Sequence, residues 1–482
     1  MSGIEPEMHE THTGLVALVG SRAYKTKKAV VTDFLDFSTV GSRERACVRE
    51  VELNRRLAPD SYLGVGHFAA PDGQSEPVIV MRRYPEAARL AARVRAGAAV
   101  AADLSAIALL LAGFHATAAR SDSVDAEATV AALTDRWREN LTELRHHVGG
   151  VLDGSVLADV TRLALQFLAG RGELYASRIA GRRIVDGHGD LQTQDIFCMP
   201  EGPVLLDCLE FDDRLRYVDG VDDAAFLAMD LEFLGRADLG EFFLDEYLRY
   251  ADDAAPRSLR DFCIAYRAVV RAKVDCVRVG QGWREAAADA RAHLDIAVAH
   301  LRRATVTLVV IGGGPGTGKT TLAHALAPRI GAEVISTDDV RRKLASGGAI
   351  GGEIGALNTG LYTPENMAMV YDEVLRRAGE SLGAGRTVIV DGTWRDPRLR
   401  EQARAVAAQR RSPVIEFSCT VPISEAVQRI STRTASTSDA TAGIAAALGE
   451  AQLPWPEAHP IDTSIAVPEV VSEMERLCRL AG

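Results

Sequence analysis

The chain has 482 residues, enough for two or three domains, and its 47% hydrophobic and 25% charged residues are the balance of ordinary soluble globular protein. A net charge of −11 argues against a nucleic-acid binder that works through bulk positive charge. No apolar run approaches the ~20 residues of a membrane span, the first residues are polar and acidic without a signal-peptide core, and seven cysteines are scattered with no C-x-x-C pair, so a reduced cytoplasmic chain without membrane anchor or zinc site is expected.

In chain order, Leu15–Val19 and Ala23–Val30 read as strands around the turn Gly20-Ser21-Arg22. Arg43–Leu57 reads as a charged amphipathic helix, and Val78–Met81 as a further strand closed by Pro85. From Glu86 to Ala304 the pattern is mostly helical, with helical periodicity over Val100–Ala119, Ala126–His147, Val156–Ile179, Ala224–Leu234, Leu239–Tyr250, Leu259–Val277 and Glu285–Arg303. The interruption lies at Ile184–Asp207. There His188-Gly189-Asp190 leads to a hairpin, with strands Ile196–Cys198 and Val204–Leu206 around Pro200-Glu201-Gly202. An antiparallel hairpin brings its ends together, so Asp195 and Asp207 should lie side by side. Two converging carboxylates suit Mg²⁺, which takes hard oxygen ligands. Asp190 stands close enough upstream to face an acceptor hydroxyl.

At Thr305 a new α/β alternation begins and runs to the end, which sets a domain boundary near 304. The apolar run Val306–Ile311 leads into Gly313-Gly314-Pro315-Gly316-Thr317-Gly318-Lys319-Thr320, and a helical pattern, Thr321–Ala327, leads out. This is the phosphate-loop pattern G-x-x-x-x-G-K-[ST] in strand–loop–helix context. Backbone N–H groups and the helix N-terminus favour phosphate oxygens; Lys319 is expected on the β- and γ-phosphates, the Thr320 hydroxyl on Mg²⁺, and Thr321, which opens the helix, among the ATP-binding residues. Strand Glu333–Ser336 precedes Asp338, Asp339 and Arg341. Strand Thr387–Val390 ends in Asp391, a second Mg²⁺ position, and the following residue is Gly392 rather than the Glu that a hydrolytic motor uses to activate water. Arg429 and Arg433 share one face of the helical run Ser424–Thr434. The Ser-, Thr-, Ala- and Gly-rich stretch from Thr434 to Gly449 follows as a candidate lid.

These segments carry a resemblance. His188-Gly189-Asp190 with Asp195 is similar to the catalytic loop H-G-D-x-x-x-x-N of aminoglycoside phosphotransferases and related small-molecule kinases of the protein-kinase-like fold. The resemblance implies Asp190 as catalytic base, Asp195 and Asp207 as metal ligands, and an orienting role for His188. Asp195 departs from the family, which has Asn there. Asp223-Ala224-Ala225 resembles the structural Asp-Leu-Ala segment of these kinases. Ala23-Tyr24-Lys25 resembles their phosphate-anchoring A-x-K strand, with Glu50 as ion-pair partner; Lys27 and Glu52 remain the competing choices. Met81–Tyr84 corresponds to the hinge under adenine, while no glycine-rich loop over the phosphates is evident.

Residues 304–482 resemble P-loop small-molecule kinases of the adenylate-kinase, gluconate-kinase and zeta-toxin groups. That likeness implies Asp338 at the acceptor and Arg429 and Arg433 as lid arginines clamping the transferred group. The whole chain is similar to a bacterial two-domain family that joins an aminoglycoside-phosphotransferase-like domain to a P-loop kinase. Leu35-Asp36-Phe37-Ser38-Thr39 and Leu209–Arg214 look like signatures of it. The expected architecture is an α+β kinase-like domain at 1–303, with a β-rich lobe at about 1–85 and a helical lobe at about 86–303, then an α/β P-loop domain with a parallel sheet at 304–482. The expected activity is ATP- and Mg²⁺-dependent phosphoryl transfer to a small hydroxylated metabolite, without membrane or nucleic-acid partners. Two other readings stay open. One is a ligand-sensing pseudo-kinase joined to an ATP switch. The other is a P-loop kinase for a nucleotide-sugar or polynucleotide end, with the first domain as substrate receptor.

Overall fold

The structure is a computed structural model that describes residues 7–10, 14–32, 35–69, 75–352, 359–432 and 454–480. It divides into two compact units: residues 1–157, 177–255 and 263–299 form the first, and 158–176, 256–262 and 300–482 the second. The last crossing falls at 299/300, but the second unit also takes in two helical stretches that precede it.

The first unit opens with a five-stranded antiparallel sheet. Its strands are β1 (Glu7–Glu10), β2 (Gly14–Val19), β3 (Arg22–Lys27), β4 (Tyr62–Ala69) and β5 (Ser75–Arg82), in the order β1-β2-β3-β5-β4. Between β3 and β4 runs α1 (Val40–Asn54), whose buried residues Arg43, Cys47, Glu50, Val51 and Asn54 recur at helical spacing and turn one face to the sheet. Side chains alternate along β3, so Ala23, Lys25 and Lys27 share a face. Ala23, Ile79, Met81 and Tyr62 pack there with Cys47 and Val51 of α1. The strand expected over Ala23–Val30 ends at Lys27. Strand β4 was not legible because Gly64 and Gly66 dilute its pattern; it pairs with β5 through an irregularity between Tyr62 and Gly64.

The signature Leu35–Thr39 acquires a mechanism here. Thr39 caps α1 by accepting from Ser42 N at 3.1 Å, Asp36 Oδ1 accepts from Ser38 N at 2.9 Å, and Arg43 donates to the Phe37 carbonyl at 2.7 Å. The segment fixes where α1 begins, and therefore where Glu50 points.

The helical part carries α2 (Ala101–Thr117). The polar loop of the sequence lies between β6 (Ile184–Asp186) and the hairpin β7 (Ile196–Met199) and β8 (Gly202–Leu205), with β9 (Tyr217–Asp219) pairing back onto β6. Then come α3 (Gly220–Phe233), capped by Asp219 and buried on nearly every side, α4 (Ala237–Tyr250) and α5 (Arg257–Gly280), which belongs to this unit from Cys263 on. A helix buried on nearly every side belongs at the centre of its domain, and α3 holds the polar loop through its Asp223 carboxylate.

In the second unit β10 (Leu308–Gly313) is followed by α6 (Lys319–Ile330), β11 (Glu333–Ser336), α7 (Thr337–Ser346), α8 (Pro364–Gly383), β12 (Val388–Asp391), α9 (Pro397–Gln409), β13 (Val414–Thr420), α10 (Ile423–Ser431), β14 (His459–Asp462) and α11 (Val467–Leu480). All strand pairs are parallel, in the order β11-β12-β10-β13-β14. Strands β10 and β12 are buried throughout, as parallel strands covered on both faces must be. Chain order reverses beside β10, and ligands of open α/β sheets bind at the carboxyl ends of strands at such a point. The architecture is thus the expected one: an α+β unit with a small β-rich lobe and a helical lobe, then an α/β unit built on a parallel sheet.

Candidate active sites

The first unit gathers its polar residues from separate segments. Lys25 on β3 lies 2.9 Å from Glu50 Oε1 and forms an ion pair with Asp207. Lys27 lies 2.6 Å from Glu50 Oε2 and pairs with Glu210. Glu50 is fully buried, each of its oxygens facing one ammonium group. The two lysines left open by the sequence therefore both hold Glu50. Glu52, the competing acid, is exposed, and among the described residues it meets Arg49, at 3.6 Å.

The loop after β6 is fixed by Asp223 of α3. Its carboxylate accepts from His188 N at 2.7 Å and from Gly189 N at 2.8 Å, while His115 binds its Oδ2 at 2.8 Å. Burial alone would raise this carboxyl; the His115 hydrogen bond and charge hold it below the usual carboxylate range instead. His188 is fully buried, and its Nε2 lies 3.0 Å from the Leu206 carbonyl, which can only accept. The ring thus carries its proton on Nε2, leaving Nδ1 to accept from Asp190 N at 3.3 Å. Burial lowers its pKa, which favours the neutral ring.

The hairpin delivers the two metal-type carboxylates together. Leu206 N donates to the Asp195 carbonyl at 3.0 Å, so Asp195 and Asp207 flank the same strand ends. Asp207 stands in the left-handed region at φ 65°, a conformation costly outside glycine and found where neighbours over-determine it. Tyr62 Oη accepts from its N–H at 3.1 Å, and Asn54 Oδ1 accepts from Cys208 N at 2.9 Å. With 42% of its side chain exposed, Asp207 remains accessible beside Lys25. Burial, then Asp207 and Asp190, push the Asp195 carboxyl well above the carboxylate range. For Asp207, burial is outweighed by Lys25, which holds it low. A pair of hard oxygen donors whose mutual repulsion must be relieved by a proton or a cation fits Mg²⁺. Among the described residues no cluster of three or more His, Cys, Asp or Glu is arranged as a ready-made metal site. Asp190 accepts from Gln192 Nε2 at 2.7 Å, and burial pushes its carboxyl up to about 6. At the expected hinge, Tyr84 bonds Ser61 at 2.7 Å and its ring lies 5.2 Å from that of Phe197.

In the second unit the phosphate loop follows the carboxyl end of β10. Gly313 (φ 144°) and Gly316 (φ 78°) sit where a Cβ would come within 2.5 Å of the Cys419 carbonyl and 2.6 Å of the Ala426 carbonyl, respectively. Only glycine lets the loop curl this tightly. Lys319 Nζ donates to the Gly314 carbonyl at 2.9 Å and Thr317 Oγ1 to the same carbonyl at 2.8 Å. Pro315 and Gly318 complete the loop, whereas Thr321 is exposed on α6. Thr320 Oγ1 donates to Asp391 Oδ2 at 2.6 Å, joining the two residues expected at Mg²⁺. Burial, with Asp338 adding, raises the Asp391 carboxyl against Lys319 and Thr320, so Asp338 belongs to the same charge cluster. Asp338 is engaged by Arg341 Nη1 at 2.6 Å, and Arg341 is buried rather than part of a solvated charge run. Arg429 bonds Thr463 and Glu425, and its Nη1 lies 3.6 Å from where a side chain on Gly318 would begin, beside the phosphate loop. Arg433 and the candidate lid lie outside the described residues.

Sequence reasoning missed the paired role of Lys27 and Glu210. The signals were present: Lys27 is two residues from Lys25 on one strand face, and Glu210 lies inside the signature that follows Asp207.

A family profile described as an AAA domain matches residues 308–453. The Mycobacterium tuberculosis protein Rv2004c (strain H37Rv) is 54% identical over 459 residues, 95% of this chain and 92% of that protein. Among solved structures, a choline/ethanolamine kinase family protein from Mesorhizobium loti is 15% identical over 62% of this chain and 93% of its own, with a TM-score of 0.39. A gluconokinase from Sinorhizobium meliloti is 19% identical over 36% of this chain and 93% of its own, with a TM-score of 0.28.

Proposed function

We propose that this chain, which belongs to the same family as Rv2004c of Mycobacterium tuberculosis, is an ATP- and Mg²⁺-dependent phosphotransferase acting on a small hydroxylated metabolite. The observation that carries the reading is the convergence of Lys25, Glu50, Asp195 and Asp207 beside Asp190, from segments far apart in the chain. Phosphoryl transfer needs little more than positioning and charge neutralisation, and these are its parts. Asp190 takes the proton of the acceptor hydroxyl, whose oxygen forms a bond to the γ-phosphorus. The bond from that phosphorus to the bridging oxygen breaks, ADP leaves, and Asp190 returns its proton to solvent. Lys25, kept in register by Glu50, binds nucleotide phosphate. Asp195 and Asp207 would hold Mg²⁺, which supplies neutralisation of the phosphate charge.

The second unit is read as a further nucleotide site. Lys319 and the backbone of Gly313–Thr320 bind the phosphates, Thr320 and Asp391 would hold Mg²⁺, Arg429 neutralises charge, and Asp338 faces the acceptor. The support is the clustering of Lys319, Thr320, Asp338 and Asp391. The seven free thiols, six of them buried, support a reducing, cytoplasmic setting. A screen of hydroxylated metabolites with γ-labelled ATP tests the reading on the full chain and on its Asp190→Asn and Lys319→Ala variants. Transfer lost in the first variant assigns the chemistry to the first unit, and loss in the second assigns it to the P-loop unit. ATP consumption with no phosphorylated product under any condition rejects phosphotransfer in favour of a switch.

A further inference from the structure

The face that α5 turns to the loop of Asp190 carries two arginines four residues apart, Arg267 and Arg271. Arg267 is committed. It donates to the Gly189 carbonyl at 3.2 Å and is neutralised by Asp222, with bonds of 3.0 and 2.9 Å to the two carboxylate oxygens. One turn further on, Arg271 is half-buried and has neither a hydrogen bond nor an ion pair among the described residues. It is nevertheless the strongest counter-charge acting on Asp190, ahead of Arg267.

A guanidinium is charged at any working pH, and leaving one half-buried without a carboxylate costs stability. Beside a general base it also opposes the chemistry, because a cation makes the carboxylate a poorer proton acceptor. Both costs vanish if the missing anion arrives with the substrate. Resting on the reading of Asp190 as the base, we propose that the acceptor carries an anionic group, phosphate or carboxylate, near the hydroxyl that faces Asp190, and that Arg271 binds it. Planar guanidinium matches either anion through paired N–H···O bonds. A cationic or neutral acceptor would leave Arg271 unpaired. Transfer then proceeds as above: the acceptor oxygen bonds to the γ-phosphorus, its proton passes to Asp190, and ADP leaves.

The test uses the full chain carrying Lys319→Ala, so that the phosphate loop does not compete for anions. Binding of glucose, glucose 6-phosphate and gluconate is compared by calorimetry at fixed Mg²⁺ and ADP. One charge-assisted pair predicts that an anionic probe binds about ten-fold tighter than glucose. Arg271→Gln should abolish that advantage and Arg271→Lys should keep part of it, while Arg278→Gln, on the same helix, should change nothing. The phosphate and carboxylate probes separate the two sources of charge. The proposal is overturned if neither anion binds better than glucose, or if the preference survives Arg271→Gln with the fold intact by circular dichroism. Asp190→Asn in the γ-labelled ATP assay is the separate check on the underlying reading. If that variant keeps full transfer while Arg271→Gln still loses the anion, the base assignment fails and the anion site stands.

Discussion

Lys27 Nζ lies 2.6 Å from Glu50 Oε2, closer than the 2.9 Å that separates Lys25 Nζ from the other oxygen. Lys27 is 3% exposed in its side chain and Glu50 not at all, so this pair is buried, while Lys25 keeps 15% of its side chain exposed. The division of labour follows: Lys27 anchors Glu50, and Lys25 is left to reach phosphate. Lys27→Met should leave Glu50 and Glu210 short of a cation and destabilise the chain by about 3–5 kcal/mol in urea unfolding. Adding Glu210→Gln should recover part of the loss. Lys25→Met should instead weaken nucleotide binding. Equal stability of Lys27→Met and the parent would remove the anchoring role.

The carboxylate pair makes a second prediction. Burial and its neighbours keep Asp195 protonated well above the usual range, so a divalent cation must displace a proton to bind between Asp195 and Asp207. With Lys319→Ala silencing the phosphate loop, Mg²⁺ or Mn²⁺ binding should release protons, measurable by calorimetry in buffers of different ionisation enthalpy. Asp195→Asn should abolish that release and raise the metal concentration needed for half-maximal nucleotide binding, and Asp195→Ala should be worse. Unchanged metal dependence in both variants would take Asp195 out of the ligand set.

Much of this site was legible because its chemistry is local in sequence. The phosphate loop needs glycines at fixed offsets, and the hairpin forces Asp195 and Asp207 together whatever surrounds them. What escaped depends on contacts between distant segments. Choosing between Lys25 and Lys27 needed the depth of α1 against β3, because both lysines share a strand face. Arg271 was one charge among several on a helix until Asp222 was seen to neutralise Arg267 and not its neighbour. Strand β4 was hidden by its glycines, and the pairing of β6 with β9 by its short length.

A third prediction concerns where the second unit ends. Within that unit Arg171 is buried and donates to the carbonyls of Gly170, Leu382 and Arg410 and to Ser412 Oγ, at 2.6 to 3.1 Å. Ser258 Oγ donates to the Gly385 carbonyl at 2.6 Å. A fragment cut at 304 keeps all five strands of the sheet but loses these donors. It should fold and bind ATP, yet unfold at lower urea than the corresponding transition of the full chain, with each stranded acceptor costing about 1–3 kcal/mol. Arg171→Met in the full chain should reproduce much of the deficit. A fragment as stable as the full chain would mean that the sheet alone defines the unit.

The last prediction is the pH dependence of Asp190. Burial pushes its carboxyl up to about 6, with Asp207 adding to the rise and Arg271 and Gln192 opposing it. A base works only when deprotonated, so in the metal-free chain the Asp190 carboxyl should titrate near 6 by carbon NMR, and kcat/KM should fall below an acid limb set by this group. Mg²⁺ at Asp195 and Asp207 should move the titration down, because it cancels the neighbouring negative charge. Arg271→Gln should move it up, since that guanidinium favours the ionised form. Stability follows the opposite sense to a salt-bridged acid. The folded chain holds this proton more tightly than the unfolded chain, so ionisation costs stability as pH rises from about 4 to 6 and no more above. Asp190→Asn should therefore gain stability over the parent through that window and keep the gain at neutral pH, while losing two or more orders of magnitude in turnover, as removal of a general base entails. A variant that gains no stability but loses turnover would mean that the carboxyl is solvated. One that gains stability and keeps turnover would mean that the proton of the acceptor goes elsewhere.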